Sequence, residues 1–245
     1  MISQHSHSGQ FCKHAKGDLE QVVLSAINSA FQVYGLSEHV PRYRSQDLYP
    51  EETGEPDPLS QLISQFNNFI QEAHRLKSLY EPQVSLLVGL ETEHITTLDL
   101  DMLHSALQTY GERIQYLVGS VHHVNGIPID FDVETYQRAV ETSNLEVFLV
   151  LYLDAQYELL NRFHPEIIGH IDLCRLYTPD LVFSSFPRAL EKLTRNVRYA
   201  IRYGALFEVN AAAFRKNWKT PYPGRDVLEV SLSSRPHRQR NDACD

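Results

Sequence analysis

The N-terminal stretch carries three histidines whose spacing suits metal binding. His5 and His7 alternate with serines, and side chains two residues apart on an extended segment project to the same face. His14 follows a glycine-containing turn that would bring its imidazole back to the same place. Neutral imidazole is the commonest protein ligand for zinc, iron and similar ions. A solvated, histidine-rich N-terminal segment without a metal could have the same sequence. These residues alone therefore leave both metal binding and a solvated segment open.

Further metal-ligand residue types follow short apolar runs along the chain. His39, Glu91, His122, His170 and Glu208 each lie at or near the end of a run that predicts a strand. The runs are separated by roughly thirty to fifty residues, which is typical of β-α-β units. Parallel strands joined by helices have their C-terminal ends on one side of the sheet, and in a barrel that rim forms the active site. We therefore expect these distant residues to converge.

The segments between these residues predict an α/β fold. Asp18 forms a capping box with Gln21 at the start of the first helix, and Asp99 is predicted to cap a later one. Apolar runs predict strands at residues 33–36, 84–90, 114–118, 167–168 and 206–209. Helical periodicity predicts helices over residues 19–30, 62–73, 103–110, 145–160 and 189–201.

Composition and charge exclude several classes of protein. A hydrophobic content of 42% and a charged content of 22% are typical of a soluble globular domain. The net charge of −9 argues against a nucleic-acid-binding surface, which is normally basic. Three scattered cysteines cannot form a disulfide framework, and there is no signal peptide and no apolar run long enough to cross a membrane. We therefore expect a cytoplasmic protein.

Six short motifs occur in a fixed order: His5-Ser6-His7 with His14, Leu36-Ser37-Glu38-His39, Gly89-Leu90-Glu91, Gly119-Ser120-Val121-His122, Gly169-His170-Ile171-Asp172, and Glu208-Val209-Asn210 with Arg215-Lys216. Their order and connecting residues resemble the PHP (polymerase and histidinol phosphatase) superfamily, most closely its fungal-type monofunctional histidinol-phosphatase branch. The resemblance implies a distorted (β/α)7 TIM-like barrel over residues 1–230. It also implies hydrolysis of L-histidinol phosphate to L-histidinol and phosphate in histidine biosynthesis.

The same resemblance implies roles for particular residues. Six histidines and one glutamate would bind a cluster of divalent metal ions: His5, His7, His14, His39, Glu91, His122 and His170. Of these, Glu91, His122 and His170 would take part in catalysis, and Glu91 would bridge two ions through its two oxygens. Arg175, Asn210 and Arg215 would contact the substrate, since guanidinium groups match phosphate oxygens. Glu38 and Asp172 would be hydrogen-bond partners that fix the orientation of the ligand rings.

The composition of the predicted site narrows the choice of metal. An imidazole-rich set with one carboxylate suits zinc, iron or manganese better than magnesium. Plain structural roles remain open for several members of the set. His39 and His170 could be buried core histidines, Glu91 could form an ordinary salt bridge, and Arg175 and Arg215 could form ion pairs away from any substrate. Cys12 lies within the first motif, where we interpret it as a small buried residue.

The C-terminal segment departs from the pattern of the superfamily. Family members continue past the segment at residues 221–223 to an Asp-x-His motif that supplies the last metal ligands. Residues 231–245 are polar, show no strand pattern and contain no such motif, so we predict an aberrant, disordered tail arising from a truncated or altered coding sequence. We accordingly expect the barrel to be incomplete at its C-terminus, metal binding to be weakened and turnover to be severely reduced.

The same residues are compatible with two other functions. The protein could be another metal hydrolase on the same scaffold, such as a nuclease or a broad phosphoesterase, although the acidic net charge disfavours a nuclease. It could also be a protein without catalytic activity, a remnant that binds metal or a partner. We expect a small phosphate ester as the substrate and neither nucleic acid nor a membrane as a partner, while the oligomeric state stays open.

Overall fold

The computed structural model describes residues 1–54, 56–216 and 218–234. Within these ranges the chain alternates strands and helices. The strands, β1 to β8, are Ile2–Ser3, Val33–His39, Ser85–Glu91, Tyr116–Gly119, His123–Val124, Ile127–Pro128, Ile167–Ile168 and Leu206–Phe207. The helices, α1 to α8, are Leu19–Asn28, Pro58–Tyr80, Thr97–Tyr110, Val133–Glu141, Leu145–Phe163, Pro187–Tyr203, Ala212–Arg215 and Arg225–Ser233.

Six of the strands form one parallel sheet in the order β1-β2-β3-β4-β7-β8. The longest pairing joins β2 to β3 from Val33 opposite Ser85 to His39 opposite Glu91. The sheet curls into a half-barrel with helices in the connections between its strands. The predicted α/β fold is therefore confirmed, in the form of an incomplete TIM-like barrel.

A separate antiparallel hairpin is formed by β5 and β6. Its turn is Asn125-Gly126, and both residues have positive φ angles, of 53° and 75°. Asparagine followed by glycine favours this geometry in two-residue hairpin turns. The sequence does not predict this hairpin, because each of its strands has only two residues.

The long helix α2 covers the outer face of β2 and β3. Its side chains at Phe69, Ile70, Ala73 and Leu76 are fully buried, at the spacing of one helical face. Burying a large apolar side chain contributes roughly 1.5–3 kcal/mol. This packing holds the two central strands, which carry His39 and Glu91 at their C-terminal ends.

The helix starts show one confirmed prediction and one that was wrong. Asp18 caps α1, and its Oδ1 accepts a hydrogen bond from the backbone N–H of Gln21 at 2.7 Å. Helix α3 begins instead after Thr96, with Asp99 three positions inside, where the Asp99 carboxylate accepts a hydrogen bond from the Thr96 N–H at 2.6 Å. The acidic residue of a capping box belongs at that inner position, so Thr96 rather than Asp99 is the cap.

The tyrosine of β4 positions the N-terminal histidines. The Tyr116 hydroxyl donates a hydrogen bond to the carbonyl of Gln4 at 2.8 Å, next to His5. Its ring lies against Gly35 and Gly89 on the neighbouring strands, where an added Cβ atom would come within 2.1 Å and 2.5 Å of the tyrosine side chain. Side chains at these two positions would therefore displace the ring and the segment that it holds.

Helix α8 corrects the predicted start of the C-terminal tail. Residues 231–233 complete this helix, whose Val227 is fully buried. The predicted tail therefore begins at least three residues later than residue 231, and residues 235–245, including His237 and Asp242, lie outside the described residues. In the described part of the chain, every helix is too short or too polar to cross a membrane.

Candidate metal centre

Glu91, the last residue of β3, lies at the centre of a cluster of imidazoles. It is only 1% exposed. Five ring nitrogens lie within hydrogen-bond distance of its two carboxylate oxygens: those of His5 at 3.2 Å, His7 at 3.0 Å, His39 at 3.0 Å, His122 at 3.2 Å and His170 at 3.0 Å. These are the histidines that the sequence predicted to converge, with the exception of His14.

The parallel sheet explains this convergence. His5 and His7 follow β1, His39 ends β2, His122 follows β4 and His170 follows β7. Because all these strands run in the same direction, their C-terminal ends share one rim. His5 and Glu208 also join the two edges of the sheet there, since His5 Nδ1 lies 2.8 Å from Glu208 Oε1. Five elements distant in sequence therefore deliver their side chains to a single point.

Three carboxylates lie behind the cluster and contact the outer nitrogens of its rings. Glu38 contacts His7 Nδ1 at 3.1 Å, Glu93 contacts His122 Nδ1 at 3.1 Å and Glu208 contacts His5 Nδ1 at 2.8 Å. Each of these rings points its other nitrogen at Glu91. A carboxylate behind a histidine fixes the tautomer and the orientation of a metal-binding ring.

Of these three carboxylates, the sequence predicted only Glu38 in this role. Glu93 also accepts hydrogen bonds from the backbone N–H groups of His94 and His122, and it contacts His123 at 3.2 Å. The signal for it was the alternation in Glu91-Thr92-Glu93, which places two carboxylates on one face. Glu208 was noted at a strand end without an assigned role.

The cluster has donor atoms that the protein itself does not satisfy. Glu91 Oε2 is buried and forms no hydrogen bond, although two imidazole nitrogens lie 3.0 Å away. His39 Nε2 and His170 Nδ1 are also buried without partners. Leaving a buried polar atom unpaired costs about 1–3 kcal/mol. Two sets of three ligand atoms, from His5, Glu91 and His170 and from His39, Glu91 and His122, each lie within 4.8 Å of one another. These residues fit divalent metal ions.

The protonation states at the cluster reflect burial among charged partners. Burial and the nearby His7 and His122 hold the pKa of His39 well below its usual value, despite the attraction of Glu91. Burial would raise the pKa of Glu91, but the neighbouring histidines, His5 above all, hold it well below the usual range. Glu91 is therefore ionised and His39 is neutral, which are the forms that bind a metal ion.

His5 competes strongly for a proton in the metal-free protein. Burial lowers its pKa, but the charges of Glu91 and Glu208 outweigh burial and raise it from 6.5 to about 10. Burial raises the pKa of Glu208, but the charge of His5 outweighs it and lowers the value from 4.5 to about 2. Protonated His5 therefore stabilises the metal-free fold fully below pH 6.5, and this contribution disappears as the pH rises towards 10. The contribution of Glu208 is full above pH 4.5 and disappears as the pH falls towards 2.

Zinc stabilisation should consequently depend on pH. A zinc ion that binds His5 must displace its proton, so we expect the rise in Tm on adding zinc to grow between about pH 6 and pH 9. Thermal unfolding with and without zinc across this range measures the effect. The variant His5→Gln should show a smaller dependence on pH. A zinc-induced change in Tm that is the same at every pH would contradict the assignment.

The cluster forms the floor of a cavity of about 600 Å³. Asn210, Arg215 and Lys216 line it, as do Lys13 and the segment between β2 and α2 through Arg42 and Tyr49. Among the described residues, Arg215 forms no ion pair. Asn210 is tied into the rim, since its Nδ2 donates to Glu208 Oε1 at 3.0 Å and its Oδ1 accepts from the N–H of Ala212 at 2.8 Å.

Two predicted site residues, Arg175 and Asp172, lie in a buried ion-pair network away from the cavity. The Arg175 guanidinium donates to the carboxylates of Asp172 and Asp226 and to the carbonyl of Leu181. Asp172 contacts Arg175 and the N–H of Gly224 rather than a histidine ring. Both residues are buried and neither lines the cavity. The structure therefore does not place Arg175 or Asp172 in the site: Arg175 is paired with Asp172 and Asp226, and Asp172 contacts no histidine ring among the described residues.

His14 lies at the rim rather than on the floor of the cavity. Its side chain is 56% exposed and its Nδ1 lies 3.4 Å from Glu51 Oε1. Its ring centroid is 5.4 Å from that of His39, and its Nε2 lies 3.0 Å from Cys12 Sγ. The structure thus places His14 beside the cluster, in contact with a thiol and without contact to Glu91.

Comparison with known proteins agrees with this architecture. A model of the PHP domain matches residues 3–212. This chain belongs to the PHP family. It is 45% identical over 237 residues to the probable histidinol-phosphatase of Schizosaccharomyces pombe, a match covering 94% of this chain and 76% of that protein. It is 31% identical over 262 residues to the histidinol-phosphatase of Saccharomyces cerevisiae, covering 94% and 78% respectively.

Solved structures share the fold at low sequence identity. A Listeria monocytogenes protein assigned as a histidinol phosphatase superposes with a TM-score of 0.79 at 22% identity, covering 96% of this chain and 91% of that one. The histidinol phosphate phosphatase of Lactococcus lactis, complexed with zinc, L-histidinol and phosphate, superposes with a TM-score of 0.59 at 18% identity, covering 85% and 72%. These matches support the barrel fold.

Proposed function

We propose that this chain is a metal-dependent phosphomonoesterase that hydrolyses L-histidinol phosphate to L-histidinol and phosphate. The observation that carries the proposal is the buried Glu91 carboxylate surrounded by five imidazoles at the floor of an open cavity. The two fungal relatives, each covered over three quarters of its length, carry the name histidinol-phosphatase. The Lactococcus structure, which holds histidinol and phosphate, is consistent with the same substrate.

The chemistry requires a strong electrostatic site. Hydrolysis of phosphate monoesters is among the slowest uncatalysed reactions. When bound, divalent ions supply a nucleophile at neutral pH and neutralise charge on the phosphoryl and leaving oxygens. Glu91 and the five histidines would hold these ions, while Glu38, Glu93 and Glu208 keep three of the rings in place. The P–O bond to the alcohol breaks, a new P–O bond forms to the oxygen of water, and the leaving alkoxide takes up a proton.

The remainder of the cavity suits the organic part of the substrate. A volume of about 600 Å³ falls in the range typical of small-molecule sites. Asp130 lines the cavity and accepts a hydrogen bond from the Tyr49 hydroxyl at 3.0 Å, and the ring of Phe131 lies 5.9 Å from that of Tyr49. A carboxylate beside aromatic rings would attract the cationic amine of histidinol. We assign recognition of the amine to this part of the wall.

The donor set also favours particular metals. Imidazole nitrogens suit zinc, iron and manganese, whereas magnesium prefers oxygen ligands. We therefore infer that zinc, iron or manganese occupies the centre, with zinc supported by its presence in the Lactococcus structure. The cytoplasmic location and the lack of nucleic-acid binding stay predictions.

A substrate panel tests the proposed function. Purified protein loaded with zinc, manganese or iron would be incubated with L-histidinol phosphate, a simple aryl phosphate and a short DNA oligomer. We expect phosphate release that is fastest from histidinol phosphate and is abolished by a chelator. Faster cleavage of the oligomer would favour a nuclease. Bound metal without phosphate release at any pH would identify a non-catalytic metal-binding protein.

Arg215 is the residue that we assign to phosphate binding. Its guanidinium is exposed in the cavity, and bidentate contacts to phosphate are typical of arginine. Hydrogen bonds to charged groups contribute about 1.5–3 kcal/mol, so we expect Arg215→Gln to lower kcat/KM by roughly 10- to 150-fold. Steady-state kinetics with histidinol phosphate measures the effect. Arg198→Gln, at an exposed arginine of α6 outside the cavity, should leave kcat/KM unchanged, and equal rates for both variants would contradict the assignment.

A further inference from the structure

We propose that the Cys12 thiolate is a ligand of a divalent ion at the edge of the metal centre, together with His39 and one or both of His7 and His14. This inference rests on the metal centre assigned above. It adds a sulfur donor to a site that otherwise offers nitrogen and oxygen.

The position of Cys12 in the fold supports this role. Cys12 lies in the turn after β1, where its N–H donates to the carbonyl of Ser8 at 2.9 Å and its own carbonyl accepts from the N–H of Ala15 at 3.0 Å. The residue is 7% exposed and lines the cavity. The turn therefore fixes the thiol against the metal centre instead of burying it in the apolar core.

The ligand atoms around Cys12 are close enough to share one ion. One ligand atom each from His7, Cys12 and His39 lie within 4.8 Å of one another. His14 Nε2 lies 3.0 Å from the Cys12 sulfur, and the rings of His7 and His39 stack with centroids 4.3 Å apart. In a tetrahedral zinc site with bonds of about 2.0–2.3 Å, the ligand atoms lie about 3.3–3.8 Å apart, so small side-chain movements would bring these atoms onto one ion.

An unsatisfied nitrogen of His39 gives a second indication of a ligand beside Cys12. His39 places its Nδ1 3.0 Å from Glu91 Oε2, while its Nε2 is buried and has no hydrogen-bond partner. One nitrogen of His39 is thus turned towards the Glu91 centre and the other is left without a partner. A thiol–imidazole hydrogen bond between Cys12 and His14 would leave His39 Nε2 unpaired, whereas an additional ion would satisfy it.

The chemistry of sulfur selects the kind of ion. Thiolate is a soft ligand that favours zinc and is avoided by magnesium and manganese. Binding releases the thiol proton to solvent as the sulfur–metal bond forms. We therefore expect this position to prefer zinc over manganese.

X-ray absorption at the zinc edge tests the proposal on the unmodified protein. With zinc filled to saturation, we expect a sulfur shell at about 2.3 Å beside the nitrogen and oxygen shell at about 2.0–2.1 Å. The variants Cys174→Ser and Cys244→Ser should keep this sulfur shell, and Cys12→Ser should lose it. If the unmodified protein retains zinc with nitrogen and oxygen ligands alone, the role of Cys12 is overturned. The proposal of a metal centre around Glu91 would still stand. A protein that retains no zinc would overturn both.

The absorption spectrum of the Co²⁺-substituted protein gives a complementary test, which also shows whether each variant has folded. Co²⁺ bound to a thiolate shows a near-ultraviolet charge-transfer band. We expect this band in the unmodified protein and in Cys174→Ser, and its loss in Cys12→Ser while the visible bands of Co²⁺ bound to imidazole remain. Those remaining bands show that the variant has folded around its metal. A charge-transfer band that survives Cys12→Ser would overturn the proposal.

Discussion

The variant Glu91→Gln should lose its bound metal and its phosphatase activity together. The Glu91 carboxylate lies within 3.0–3.2 Å of five imidazole nitrogens, and an amide in its place has one oxygen, no charge and two N–H donors. Changing only an outer hydrogen-bond partner of a metal ligand typically costs 10–100-fold in affinity or activity. We therefore expect phosphate release to fall by more than about 100-fold.

Metal analysis after dialysis and phosphate release from histidinol phosphate measure this effect. Glu81→Gln is a matched control, because Glu81 is exposed at the end of α2 and does not line the cavity. We expect this control to keep both its metal and its activity. A Glu91→Gln protein with unchanged zinc content would contradict the assignment of Glu91 as a metal ligand.

The variant Arg175→Ala should destabilise the fold severely. Arg175 is 2% exposed, and its guanidinium lies 2.7 Å from Asp172 and 2.8 Å from Asp226. It also packs against the rings of Phe183 and Trp218. Removing it leaves the charge of Asp172 buried without compensation, and breaking a buried pair in this way costs about 3–5 kcal/mol. For a chain of this size we expect Tm to fall by about 6–20 °C.

An exposed ion pair supplies the control for this prediction. Arg225 pairs with Glu229 at 3.0 Å on the surface of α8, with the arginine side chain 88% exposed. Arg225→Ala should change stability by no more than about 1 kcal/mol, and calorimetry or denaturant unfolding compares the two variants. Protein of Arg175→Ala that remains folded should bind substrate with an unchanged KM. A raised KM with unchanged stability would restore the sequence-based assignment of Arg175 to phosphate.

The convergence of the metal-ligand residues was predictable because it depends on topology. His39, Glu91 and His170 each follow a short apolar run, and the parallel order of the strands alone brings such ends to one rim. The alternation in His5-Ser6-His7 gave the direction of the N-terminal imidazoles in the same way. The local residue pattern and the direction of the strands were sufficient to predict that these side chains converge.

The partners of the individual side chains were not predictable, because they depend on packing between distant elements. Arg175 and Asp172 are three residues apart, but the third member of their network, Asp226, lies 51 residues from Arg175 on α8. The sequence pattern did not predict a helix over residues 225–233, so the position of Asp226 opposite Arg175 was not foreseen. Glu93 and Glu208 likewise gain their roles from rings on other strands.

A crystal structure of the zinc-loaded protein, with diffraction data collected at the zinc absorption edge, would test the metal centre most directly. We predict anomalous peaks about 2.0–2.2 Å from the carboxylate oxygens of Glu91 and from the nitrogens of the imidazoles that surround it. Loaded crystals with no peak beside Glu91, or with zinc bound only at exposed histidines such as His104, would contradict the account.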